Sequence, residues 1–136
     1  MKRIQIMDAL KDALQAAFPG AVVSYWRDRP PLRDDSAVAV VYRDVSGSFS
    51  RVNSEHQHSV RVEIEVLKFG ADLGSAMNES LDSCIRAIGA NPSLGQPKTV
   101  CEIAGFAFDT AGDGFEGGVA QLVVDITYRT PVWSGA

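Results

Sequence analysis

The stretch HQHSVRVEIEVLKF, residues 56–69, alternates apolar and polar side chains with a period of two residues. Successive side chains of a β-strand point to opposite faces, so this pattern predicts a strand with one buried and one solvated face. The buried face carries the even positions, His56, His58, Val60, Val62, Ile64 and Val66. The solvated face carries the odd positions, Gln57, Ser59, Arg61, Glu63, Glu65 and Leu67. A half-buried strand requires neighbouring strands and an apolar layer over one face, which limits the chain to folds built on a sheet.

Two segments show the spacing of amphipathic helices, which can supply such a layer. In residues 1–18 apolar side chains recur every three or four positions, at Ile6, Met7, Leu10, Leu14, Ala17 and Phe18. A Pro-Gly pair then ends this first helix. In residues 71–89 a second stripe follows the same spacing, at Leu73, Met77, Leu81, Cys84, Ile85 and Ile88. We predict that Asp72 or Ser75 caps the second helix and that Gly89 lies just past its end.

Four further segments have the β-branched and apolar composition of strands, namely residues 21–26, 37–45, 99–110 and 119–130. The second of these is joined to the histidine-containing strand by the polar sequence SGSFSRVNSE, and the pair predicts a hairpin. Because that connection is too long for a two-residue turn, we expect the hairpin either to extend as an arm beyond the core or to carry a mobile loop.

The resulting order of elements is α-β-β-β-α-β-β. It predicts a single α+β domain over residues 1–136, with one mixed or antiparallel sheet of about five strands and two helices packed on one face of it.

Composition limits the classes of function. The 136 residues carry a formal net charge of −4 and no cluster of Lys and Arg, which argues against a surface built for nucleic acid. No segment reaches the roughly 18 apolar residues of a membrane span. Asp8, Lys11 and Asp12 interrupt the N-terminal stretch where a signal peptide needs an apolar region. Cys84 and Cys101 lack CxxC spacing, so we expect buried reduced thiols in a soluble protein of a reducing cytoplasm.

The chemical motifs predict no enzyme, metal site or cofactor. His56 and His58 are the only histidines, so a zinc site would need further ligands from elsewhere in the chain. We expect both at the outer end of the apolar face, where a ring nitrogen stays in contact with water. No GxSxG nucleophile elbow occurs. The glycine-rich DTAGDGFEGG has Ala120 where a calcium loop starting at Asp109 needs a glutamate.

Charged side chains of mixed sign mark the polar face of the predicted sheet. They are Arg61, Glu63 and Glu65 on one strand and Gln121, Asp125, Thr127 and Arg129 on the last strand. This face is either an ordinary solvated surface or a subunit interface whose charges set register and specificity. Periodicity does not distinguish the two.

Several stretches, taken in order, resemble a known family. They are the helix IMDALKDALQAAF, the proline-containing RPPLRDD before AVAVVY, a polar hairpin loop, HSVRVEIEVL, a second helix, and a last strand ending in LVVDITYRT. In this order and spacing, over nearly its whole length, the chain resembles the tail terminator proteins of long-tailed phages, the lambda-type minor tail protein U family. The strand VRVEIEV and the terminal DITY carry most of the resemblance.

The resemblance implies an α+β subunit that assembles as a homo-oligomeric ring, commonly a hexamer, on the end of the completed tail tube. Such a ring stops further addition of tail tube protein and gives the head–tail connector protein a surface on which to dock. It implies no cofactor. It places the protein in the host cytoplasm during assembly and in the virion tail afterwards, whether the source is an active phage or a prophage.

Under this resemblance three groups of residues are candidate contacts with a neighbouring subunit or the tube. They are Arg61, Glu63 and Glu65 on the charged face; Phe49, Arg51 and Asn53 on the hairpin; and Asp113, Phe115 and Glu116 in the glycine-rich loop. The loop is included because a flexible segment can become ordered on docking.

Two other functions stay open. A head–tail joining or neck protein has a similar size and layout, and would bind the portal complex instead of the tail tube. A small-ligand-binding module would use a pocket between helices and sheet that includes His56, His58 and Tyr128. A ligand that raises the melting temperature would indicate that module.

Overall fold

A computed structural model describes residues 2–25, 38–69, 73–110 and 117–131. Within these residues the chain forms two helices and one mixed five-stranded sheet, which confirms the predicted α+β class and order of elements. The elements are α1 (Lys2–Ala17), β1 (Val22–Tyr25), β2 (Val38–Val52), β3 (Glu55–Phe69), α2 (Leu73–Ala90), β4 (Val100–Thr110) and β5 (Gly117–Pro131).

The strands lie side by side in the order β1-β2-β3-β5-β4. β1 runs parallel to β2, and the other three neighbouring pairs are antiparallel. β2 and β5 therefore run in one direction and β3 and β4 in the other. The predicted hairpin of β2 with β3 and the predicted terminal pair of β4 with β5 are both present.

Both helices cover one face of the sheet, which we call the inner face. It carries the even-numbered residues of β3 and β5, and these are buried from position 56 to 66 and from 120 to 130. α2 packs on β3, β4 and β5, while α1 packs on β1 and α2. The helices contribute their apolar stripes to the same core cluster, through Ile6, Leu10, Leu14, Leu81, Cys84 and Ile88. These residues recur at helical spacing, so each helix turns one apolar side towards the shared core. The side chains of Leu73 and Met77, also predicted for the second stripe, lie outside the described residues.

The helix ends differ slightly from the sequence prediction. α1 ends at Ala17, and Phe18 separates it from the Pro-Gly pair. The Gln15 side chain donates hydrogen bonds to the carbonyls of Phe18 and Ala21 at 3.1 and 3.0 Å. α2 begins at Leu73, so Ser75 lies inside the helix and is not its cap. Gly89 belongs to the last turn of α2, and Asp72 lies outside the described residues.

Of the two predicted forms of this hairpin, the extended one is present and the mobile loop is not, and the expectation that the connection exceeds a two-residue turn is wrong. β2 continues to Val52 and β3 starts at Glu55, so the turn contains only Asn53 and Ser54. The strands continue through this polar segment because the hydrogen bonds between β2 and β3 join backbone groups, which every residue of β2 carries whatever its side chain. Asn53 has a φ of 55°, a conformation that asparagine tolerates better than most residues.

The opposite face, which we call the outer face, is only partly charged. Near the start of β2 and the end of β3 it holds a small apolar cluster of Ala39, Val41 and Leu67, with Val119 packed against it. The predicted charged surface, which we call the charged half of the outer face, therefore begins at Glu65, beside this cluster, and runs towards the Asn53–Ser54 turn.

We predict that Leu10→Ala lowers the free energy of unfolding by about 2–5 kcal/mol, because it leaves a cavity between helix and sheet. Leu10 has no exposed surface, whereas Ile4 on the same helix is 57% exposed. Ile4→Ala is the matched control and should change stability by less than about 0.5 kcal/mol. Urea denaturation measures both values, and equal losses would contradict the packing described above.

Candidate functional site

A cluster of aromatic side chains closes the inner face at its turn end. His56 and His58 are 5% and 7% exposed, so the prediction of a water-exposed ring nitrogen is wrong. The His58 ring stacks on Tyr128 of β5 with centroids 4.8 Å apart and planes 6° apart. Phe49 of β2 lies against both imidazoles, with centroid separations of 5.2 and 5.8 Å. β2 brings Phe49 over the histidines because this strand continues to Val52, past its predicted end at residue 45.

The His58 side chain also has a polar partner. Its Nε2 lies 2.7 Å from the Thr130 hydroxyl, which is buried on the neighbouring strand. Burial lowers the pKa of His58 below its usual 6.5, and electrostatic interactions with His56 and Lys2 lower it further. The ammonium of Lys2 is held nearby by the carbonyls of Pro97 and Arg129, at 2.7 and 3.0 Å. The side chains of Phe49, His58 and Tyr128 thus form a packed aromatic plug at the end of the core.

Ion pairs connect neighbouring strands across the charged half of the outer face. Arg61 of β3 makes a two-pronged pair with Asp125 of β5, with N–O distances of 2.9 and 3.1 Å. Arg43 of β2 donates from two nitrogens to one oxygen of Glu63, at 3.1 and 2.9 Å. Both pairs join residues directly opposite each other in the sheet. The hydrogen bonds from Arg61 lower the pKa of Asp125 below its usual range.

The structure places the candidate contact residues on two surfaces. Arg61 is exposed on the outer face, with Glu63 and Glu65 half-buried beside it. Phe49 and Arg51 are exposed on the inner-face side of β2, since their register partners are the buried histidines. The Arg51 guanidinium donates to the carbonyl of Asn53 at 3.2 Å.

The third group of candidates was drawn from the glycine-rich loop. Asp113, Phe115 and Glu116 lie outside the described residues.

A further surface was missed by the sequence prediction and lies along β4. The register of β4 against β5 shifts between Ile103 and Gly105, which marks a β-bulge. After the bulge, Phe106 and Phe108 face the same side as their buried partners on β5, although they are 61% and 44% exposed. Strict alternation would have placed them on the outer face. The one signal in the sequence was the glycine inside an otherwise strand-like segment.

Both thiols are buried and free, as predicted. Burial raises the pKa of Cys84 to about 12 and that of Cys101 to about 11, so both are protonated at neutral pH and are poor nucleophiles.

In residues 2–25, 38–69, 73–110 and 117–131, no three His, Cys, Asp or Glu side chains are grouped to hold a metal ion. None of the helices described is long and apolar enough to cross a membrane.

No family model matches the chain, and no curated protein matches it either. Among solved structures, the type 4 fimbrial biogenesis protein PilO from Pseudomonas aeruginosa has a TM-score of 0.40 and 5% identity, over 92% of this chain and 67% of that one. A structure of a protein known only by a sequence identifier has a TM-score of 0.48 and 16% identity, over 91% of this chain and 92% of that one. Likeness at this level carries no inference about function.

We predict that the free energy of unfolding falls as the pH is lowered from about 7 to about 5. The unfolded chain protonates its histidines near pH 6.5, whereas the lowered pKa of His58 delays protonation in the folded state. Urea denaturation over a pH series measures this slope, and His58→Gln should reduce it. Asp44 and Asp125, whose pKa values are lowered from 3.8, act only in a more acidic range. An identical slope in the variant would contradict the assignment to His58.

Proposed function

We propose that this chain is the subunit of a phage or prophage tail terminator, which forms a ring on the end of the tail tube. The ring stops addition of tube protein and offers its other side to the head–tail connector protein. The observation that supports the proposal is the order and packing of the elements, α-β-β-β-α-β-β with both helices on one face of a single sheet. This is the layout on which the resemblance to the terminator family rests.

A capping ring requires subunits with unlike surfaces. Subunits that join head to tail form a closed ring when the rotation between copies closes, and each copy then uses two different patches. One side of the ring must fit the tube end and the other must not, so that growth stops. The sheet of this chain has an inner face covered by helices and an outer face that carries charges at the turn end. Such a subunit presents two unlike surfaces, as the proposed ring requires.

The charged half of the outer face is better suited to recognition than to stability. The Arg61 and Asp125 side chains are 51% and 33% exposed, and the Arg43 and Glu63 side chains 36% and 20%. Ion pairs this exposed contribute little to folding, whereas mixed charges at a surface set orientation and select partners. Under the proposal, Arg61, Glu63 and Glu65 therefore contact a neighbouring copy or the tail tube.

The turn end of the β2–β3 hairpin is a second contact in this proposal. Phe49 is 62% exposed although it covers the histidines, so its outer side remains available to a partner. Arg51 and Asn53 lie next to it and are also exposed. An aromatic side chain next to an arginine is typical of protein interfaces.

The ligand-binding alternative receives less support from the geometry. The three side chains that would line its pocket, those of His56, His58 and Tyr128, are buried and in contact with one another or with Phe49. A neck protein remains the alternative within the same class, because it would use the same kinds of surface.

We predict that purified protein added to polymerising tail tube protein limits the length of the tubes, as measured by negative-stain electron microscopy. The double variant Glu63→Lys and Glu65→Lys should yield longer tubes, because it reverses two charges on the outer face. Glu79→Lys, at an exposed position of α2, is the matched control and should limit length as the wild type does.

Thermal unfolding must show that the double variant folds, since Glu63 also pairs with Arg43. Tubes that elongate freely with the wild-type protein present would overturn the terminator proposal. If the protein binds the connector and ignores tubes, it is a neck protein.

A further inference from the structure

Exposed apolar side chains are concentrated on β4. Eight large apolar side chains of the described residues are exposed, and four of them belong to this strand: Val100, Ile103, Phe106 and Phe108. The last three lie on the inner face, because their register partners on β5 are buried there. The Phe106 and Phe108 rings contact each other, with centroids 5.7 Å apart. The helix layer therefore leaves the inner face of β4 uncovered from Ile103 to Phe108.

β4 also lies at an edge of the sheet. It pairs with β5 on one side, and no described strand lies on the other side. Edge strands of natural proteins are usually short or protected by lysine or proline, whereas β4 has eleven residues and contains neither. Its free backbone groups are best satisfied by an extended strand, because a helix placed there would leave these hydrogen bonds unmade.

The segments outside the described ranges join the sheet away from the middle of β4. Residues 26–37 connect β1 to β2 at the opposite edge, and residues 111–116 connect the ends of β4 and β5. Residues 132–136 follow Pro131, which lies about 30 Å along β5 from the position opposite Phe106. Five residues reach at most about 18 Å. A strand that pairs with β4 beside Phe106 is therefore expected from a second molecule.

A second copy of β4 supplies a matching strand. If two copies pair antiparallel about a two-fold axis at Ala107, Phe106 of each copy lies opposite Phe108 of the other. Directly opposite residues share a face, so the four phenylalanines form one row between the α2 helices of the two copies. Gly105 then lies opposite Asp109, so this register places no acid opposite an acid.

The neighbouring registers match less well. A shift by two residues in either direction leaves one phenylalanine of each copy opposite Ala104 or Thr110. Ala104 is also the extra residue of the β-bulge, since the register shifts between its two neighbours. The bulge lies just outside the paired stretch 105–109, so it ends the pairing without interrupting it.

We propose that the protein forms a two-fold dimer in which residues 105–109 of the two copies pair antiparallel and join their sheets into one. Backbone hydrogen bonds across the joint provide affinity, and the row of phenylalanines fixes the register. This inference goes beyond the proposed function and rests on other residues. The dimer uses neither the charged half of the outer face nor the Asn53–Ser54 turn, so both stay accessible in it.

An engineered disulfide tests the register. The two copies of Ala107 lie opposite each other at the axis, within the Cα separation that a disulfide spans, and Ala107 is exposed. In Ala107→Cys, oxidised glutathione should accept two electrons from the two introduced thiols, which lose their protons and form one S–S bond. Ala104→Cys is the matched control on the same strand, because its two copies lie about 20 Å apart in this register. Both native thiols are buried.

A non-reducing gel should show Ala107→Cys at twice the 14.6 kDa of one chain and Ala104→Cys at the mass of one chain. Light scattering should show wild-type protein approaching the doubled mass as its concentration rises. Phe106→Lys should stay at the mass of one chain, since it places a charge in the phenylalanine row. Ile4→Lys, at an apolar position of α1 that is 57% exposed, is the matched control and should dimerise as the wild type does.

Three results would overturn the dimer: wild-type protein that is monomeric at every concentration, association that Phe106→Lys leaves unchanged, or cross-linking of Ala107→Cys that is no faster than that of Ala104→Cys. If Phe106→Lys does not fold in a thermal unfolding assay, Phe106→Ser replaces it.

Discussion

The central strand β3 is paired with β2 on one side and with β5 on the other along nearly its whole length. This double pairing fixes which face each residue of three long strands occupies, because side chains alternate from face to face. The inner-face residues Val62, Ile64 and Val66 are at most 1% exposed. Burying an aliphatic side chain of this kind contributes about 1.5–3 kcal/mol, so the inner face carries most of the stability of the fold.

Because stability is concentrated on the inner face, other surfaces of the sheet can serve recognition. The charged half of the outer face is held together by exposed cross-strand ion pairs such as Arg61–Asp125, which add little to folding. β2 and β4 each carry an exposed phenylalanine, Phe49 and Phe106. The aromatic plug of His58, Tyr128 and Phe49 connects the two functions, since it seals the core and also supports the exposed ring of Phe49.

Local patterns predicted the faces of the sheet and both helices well. The alternation from His56 to Val66 gave the correct buried side for every residue, and the 3.6-residue period located both apolar helix stripes. These predictions succeed because an element with one buried face has apolar residues at a fixed spacing within its own short stretch of sequence.

The errors arose where distant segments decide the structure. Polar residues 46–52 form a strand because β3 pairs with them, and local composition does not reveal that pairing. One extra residue in β4 moves Phe106 to the inner face, and a glycine was its only sign. The ion-pair partners of Arg61 and Glu63 depend on the register of three strands, which the sequence does not specify. For the same reason the sequence predicted a charged face and missed the exposed phenylalanines of β4.

Amide hydrogen exchange of the full chain measures the double pairing of β3 most directly. Because β3 is paired on both sides, its amides and those of β5 should be among the slowest to exchange and should exchange only on global unfolding. Amides of β3 that exchange as fast as those in the first turn of α1 would contradict this pairing.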